Sequence, residues 1–148
     1  MTTARFPPPL SGILPAAVAA ALAAATPTSA GAASPIFGRW LTDDGAAVVK
    51  VEPCGGRLCG RIEQVLDPRA PANDINNPEP ARRSRPLIGT LVLESFKGLG
   101  AAWKDGLAYD PKAGKSYRSE LLLLADGKLK VTGCILFLCR SRYWTRAR

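Results

Sequence analysis

The chain has 148 residues, with 20 lysines and arginines against 12 aspartates and glutamates, a net charge of +8 and no histidine. That length is the content of one domain. Without imidazole there is no Ser-His-Asp or Cys-His nucleophilic chemistry and no zinc site built with histidine, because histidine is the usual general base near neutral pH and the commonest metal ligand.

The N-terminal segment has the three-part pattern of an export signal. Arg5 is its one charged residue, Ile13 to Ala25 form a short apolar run, and Ala30-Gly31-Ala32 matches a small-residue cleavage site. Residues 1–32 are therefore expected to be a signal peptide, cleaved near Ala32. The run is shorter than the roughly 20 residues a membrane-spanning helix needs. No second run is long enough, so an integral membrane protein is not expected. The remaining residues, 33–148, are read as a single domain that still carries +7, since only Arg5 is lost. A basic exported domain suits anionic partners, although scattered charge also serves solubility.

Beyond the leader, short apolar or alternating runs recur between Gly, Pro, Asp and Asn, which is the pattern of an all-β protein. Gly38 to Leu41 open the first strand and Asp43-Asp44-Gly45 turn it. Ala46 to Glu52 and Leu58 to Leu66 form the next two strands around Cys54-Gly55-Gly56. Residues 67–86 form a long loop, because five prolines there deny it a ladder. Strands resume at Leu87 to Leu93, in the Leu99 to Tyr109 segment, at Tyr117 to Leu124, at Leu129 to Cys134 and at Cys139 to Arg146. About eight sequential strands predict a small antiparallel up-and-down barrel, with a two-sheet sandwich as the competing arrangement. Val49, Ile62, Leu91 and Leu122 are the expected inward residues.

The four cysteines, Cys54, Cys59, Cys134 and Cys139, flank two four-residue loops. Facing positions at a hairpin end favour Cys54–Cys59 and Cys134–Cys139 disulfides, and an exported protein meets an oxidising compartment. A cross-pairing, a redox-active pair and a four-cysteine zinc site stay open on count alone.

The string of motifs resembles a bacterial family of secreted proteins known only as a domain of unknown function (number 2147). The matching residues are Gly38 to Asp43, Val51 to Gly56, Leu58 to Ile62, Asp74 to Pro78 and Arg83 to Gly89. Trp103, Gly106, Tyr109 to Pro111, Gly114 to Tyr117 and Trp144 to Arg146 continue the match. The resemblance implies export to the periplasm or beyond and a lipocalin-like, calycin-type barrel. It supplies no chemistry. Barrels of that type open with Gly-x-Trp and close with an arginine packed over the tryptophan, so Trp40, Trp144 and Arg146 are the expected structural residues. Trp144 and Arg146 share a strand face.

The candidate ligand site lies in the long loop, at Asp74, Asn77, Arg83 and Arg85, where guanidinium forks suit a phosphate or carboxylate. A link from Asp74 to Arg83 or Arg85 that simply rigidifies the loop is the structural alternative. Lys112 to Ser116 carries a Gly-Lys-Ser tail, but Tyr109 stands where a phosphate loop needs its first glycine. The dispersed tryptophans argue against a nucleic-acid platform. No catalytic carboxylate pair, cofactor motif or metal site is recognisable, so no enzyme is expected. The expected function is binding of a small apolar or amphipathic, anionic, lipid-like ligand. The alternatives are a filled barrel contacting an envelope component and, last, a hydrolase.

Overall fold

The computed structural model describes Gly12 and residues 35–148. The signal peptide expected at residues 1–32 and its cleavage site lie outside the described residues, Gly12 apart. Residues 35–148 belong to one compact unit.

Eight antiparallel strands form a closed barrel in sequential order. They are β1 (Gly38–Leu41), β2 (Ala47–Cys54), β3 (Arg57–Val65), β4 (Leu91–Leu99), β5 (Ala102–Asp110), β6 (Lys115–Leu123), β7 (Leu129–Ile135) and β8 (Leu138–Arg146). Closure comes from β1 pairing with β8, Trp40 opposite Arg146 and Leu41 opposite Thr145. Closing the sheet leaves no strand edge unpaired, so the barrel reading holds and the sandwich does not.

Alternation along each strand divides the residues between core and solvent. One end of the barrel is packed solid. Trp40, Phe96, Leu58, Leu121, Leu129, Val51 and Ile36 are almost wholly buried there, with Trp103 beside them. Burying a side chain of this kind contributes about 1.5–3 kcal/mol each, an upper estimate for a real unfolded chain. Arg146 covers this end. Its guanidinium carbon lies 4.0 Å from the Trp40 ring centre, and it donates to the carbonyls of Phe37 (2.7 Å) and Pro35. The Trp40 indole donates to the Ile36 carbonyl at 2.8 Å. Gly38 makes this cap possible. A Cβ there would sit 2.6 Å from an Arg146 nitrogen, and its φ of +124° disfavours any other residue. The expected arginine closure is thus Arg146 on Trp40. Trp144, one step inward on the same face, belongs to the wall above.

Both expected disulfides form, Cys54–Cys59 at the packed end and Cys134–Cys139 at the opposite end. The described residues hold no free cysteine.

Three expectations shift, each because of local backbone geometry. The strand expected from Leu87 starts only at Leu91, because Leu87 to Thr90 close a turn through a Thr90 to Leu87 backbone bond of 3.0 Å. Leu91 faces outward, opposite Arg61, because the β3–β4 register slips between Gly60 and Arg61. A bulge there places the consecutive residues Val92 and Leu93 inside. Leu122 also points outward, 41% exposed, while its neighbour Leu121 takes the inward place. Val49 and Ile62 face inward as expected.

Candidate functional site

The other end of the barrel is open. The cavity there has a volume of about 1030 Å³. Its walls are apolar, with Val49 and Ala47 from β2, Ile62 and Val65 from β3, and Val92 and Leu93 from β4. Ala108, Val131 and Trp144 complete the ring. Strand alternation places most of them, and register slips along β3 and β4 bring in Val65 and the consecutive pair Val92 and Leu93, so the sheet itself builds the cavity wall. Ser119, buried beneath this level, spends its hydroxyl on the Tyr117 carbonyl at 3.0 Å. Among the described residues no buried side-chain polar atom lacks a partner.

The mouth is polar. Arg140 and Arg142 stand above Trp144 on the same face of β8, reaching the cavity lining with Arg69 and Lys112. Arg142 is held by Asp43 at 3.0 Å and Arg69 by Asp67 at 3.1 Å. Lys112 pairs with Asp44 at 2.6 Å, joining the β5–β6 turn to the β1–β2 turn. Burial would raise the Asp44 carboxyl. The Lys112, Thr42 and Ala46 hydrogen bonds outweigh that and hold it at about 2, below its usual 3.8. Arg140 lines the mouth and makes no ion pair among the described residues.

The long loop splits in two. Its first half, with Arg69, Ala70, Pro71, Asn73 and Asn76, lines the cavity mouth. Asn76 donates to the carbonyls of Pro111 (3.3 Å) and Lys112 (3.1 Å), fastening the loop to the β5–β6 hairpin. Gly114 is required at that contact, because a Cβ would lie 1.9 Å from the Asn76 carbonyl oxygen. The second half folds back over the outer face of the barrel. It encloses a smaller groove of about 570 Å³ lined by Arg61, Asp74, Asn77, Arg85, Glu94 and Tyr109 among others.

The residues expected to bind a ligand are therefore divided. Asp74 (2% exposed) and Asn77 (8%) are buried against each other, with the Asn77 amide donating to Asp74 at 2.7 Å. Tyr109 donates its hydroxyl to the other Asp74 oxygen, also at 2.7 Å. Burial, followed by this bond to the carboxylate, pushes the Tyr109 phenol well above its ordinary value. Arg83 donates to the Asn77 carbonyl at 2.8 Å and lines neither cavity nor groove. Arg85 lies in the outer groove, and its carbonyl accepts from the Asp74 backbone at 2.9 Å. The loop is rigidified through Asp74 as the structural alternative anticipated, but by Asn77 and Tyr109. Among the described residues no Asp74–arginine ion pair forms.

Two functional features escape the sequence reading. Arg140 and Arg142 are placed at the mouth by a signal that is present in the sequence. They lie two and four residues before the inward Trp144, and period 2 puts all three on one face. The second is the turn Ile135 to Leu138, where four apolar side chains occupy a position that usually holds Gly, Asn or Asp.

A closed eight-stranded barrel with an arginine-capped base and an apolar cavity open at one end is a lipocalin-like barrel. The chain belongs to a family described as uncharacterized proteins conserved in bacteria (DUF2147), whose model matches residues 38–146. Among solved structures it is similar to protein HP1028 from the human pathogen Helicobacter pylori, which is described as belonging to the lipocalin family. The two share 21% identity over 78% of this chain and 85% of that one, with a TM-score of 0.69. At that identity the likeness is one of fold. No curated protein matches the chain.

Proposed function

We propose that this protein is an exported binding module that holds one small amphipathic anion without transforming it. The apolar body of the ligand lies among Val49, Ile62, Leu93, Val131 and Trp144, and its charged end meets Arg140 at the mouth. The observation that carries this reading is the cavity of about 1030 Å³ with apolar walls and a polar rim of largely paired charges, at which Arg140 makes no ion pair. That is the size and character of small-molecule sites, which run to about 300–1,000 Å³ and carry a few placed polar groups. An apolar wall favours an alkyl or ring body, and a guanidinium forks onto a carboxylate or phosphate. Two disulfides and the signal-like leader support the export part of the reading.

The test is native mass spectrometry of protein expressed from the full-length sequence, followed by solvent extraction of whatever it carries. The reading expects a stoichiometric species of lipid-like mass that is recovered unchanged after incubation. Protein that carries nothing and takes up no long-chain carboxylate or phosphate would sink it. A ligand recovered as a cleaved product would move the protein to the enzymes.

A further inference from the structure

The β7–β8 hairpin stands at the open end of the barrel and ends in Ile135-Leu136-Phe137-Leu138. Ile135 and Leu138 pair across the hairpin and reach the cavity lining. Leu136 and Phe137 project beyond it, 90% and 87% exposed. A two-residue hairpin turn normally takes Asn-Gly or Asp-Gly, because its backbone needs positive φ. Here Leu136 sits at φ 53°, a region that side chains with a Cβ disfavour. Two large apolar groups thus occupy the tip against both local backbone preference and the usual cost of exposure to water. The Cys134–Cys139 disulfide joins directly opposed residues at the base of the tip. It clamps the two strands together where the tip begins.

The surroundings of the finger are cationic. Arg118 lies on β6 opposite Cys134, and Arg140 follows Cys139 on β8. Neither makes an ion pair among the described residues. The chain as a whole carries +8. A compact apolar tip flanked by two arginines matches an anionic lipid surface, where apolar side chains enter the acyl boundary and cations meet the headgroups.

We propose that the open end of the barrel docks on an anionic lipid bilayer, with Leu136 and Phe137 inserted and Arg118 against the headgroups. The proposal does not depend on what the cavity holds. A second copy of the chain burying the same tips is the competing occupant, and arginines around both tips oppose it by like-charge repulsion.

The experiment is flotation of the protein, expressed from the full-length sequence, with vesicles of phosphatidylglycerol and phosphatidylcholine against vesicles of phosphatidylcholine alone. The expected result is salt-sensitive binding to the anionic vesicles. The Leu136→Ser/Phe137→Ser variant should lose about tenfold or more in vesicle affinity, given the apolar area withdrawn. Its two disulfides and near-ultraviolet dichroism should be unchanged. Arg118→Gln should weaken binding to anionic vesicles alone. The double variant should still take up a cavity ligand, because neither residue lines the cavity, so failure of docking and failure of the binding function are separable. Absence of vesicle binding by the parent protein, or equal binding by the double variant, would overturn the proposal. So would a concentration-dependent dimer abolished by Phe137→Ser without any vesicle binding.

Discussion

Tyr109 on β5 donates its hydroxyl to Asp74 at 2.7 Å, across 35 residues of chain, and that bond fixes the long loop to the barrel wall. Asp74 is buried and accepts from Asn77 on its other oxygen. The loop has few apolar anchors besides Leu87, so its order rests on polar bonds. These bonds are strong because they are shielded from water and one partner is a carboxylate.

Removing that hydroxyl is therefore expected to cost more than a surface change. Tyr109→Phe leaves a buried carboxylate short of a donor, and the expected loss of stability is about 1–3 kcal/mol. The urea midpoint measures it. Limited trypsin digestion reads the loop directly. Cleavage should appear after Arg82 or Arg83 before the barrel itself is cut.

At the packed end, Arg146 joins a cation–π contact with Trp40 to two backbone carbonyl bonds. Arg146→Ala is expected to destabilise by about 2 kcal/mol, and Arg146→Lys to recover only part, since an ammonium lacks the planar fork. Chemical denaturation gives the magnitude. A red shift of tryptophan emission would report water reaching Trp40.

Acid should loosen the mouth first. Asp44 is held at about 2 against an ordinary 3.8. A carboxylate whose folded value is depressed contributes stability above the unfolded value and loses it as pH falls through the folded one. The Asp44 contribution is thus nearly complete above about pH 4 and is lost as pH falls through about 2. Both members of its pair with Lys112 are about half exposed, so screening by water holds it to about 1 kcal/mol. Melting temperatures of the parent and of Asp44→Asn should differ at pH 7 and converge at pH 2.

Much of this architecture was legible from residue pattern alone. Gly-Pro-Asp punctuation spaced eight short strands, and the facing cysteines and the Trp40–Arg146 closure followed from hairpin position and the family resemblance. What misled was local and geometric. Inside β5, within the segment expected to be extended, Asp105 takes a φ of 56° and the register with β6 slips. The bulge at Val92 likewise reversed the side expected for Leu91. Period-2 alternation gives no warning of such slips, because an extra residue reverses every assignment beyond it. The loop arginines drew attention through density of charge. Charge density carries no information about which way a loop folds, and Arg83 and Arg85 came to lie away from the cavity. Arg140, unremarked in the sequence, stands at its mouth because it shares a face with Trp144.

The central claim is that the barrel cavity is the ligand site. Ala108 lines it, and Ala108→Trp would put an indole into the space and narrow it while leaving the mouth intact. Fluorescence titration with 11-(dansylamino)undecanoate, a probe with an apolar chain and an anionic end, compares the two proteins directly. The account predicts one equivalent bound by the parent at about micromolar Kd, and affinity weaker by about tenfold or more for Ala108→Trp with its unfolding midpoint retained. Equal binding by both proteins, or none by the parent, would contradict it.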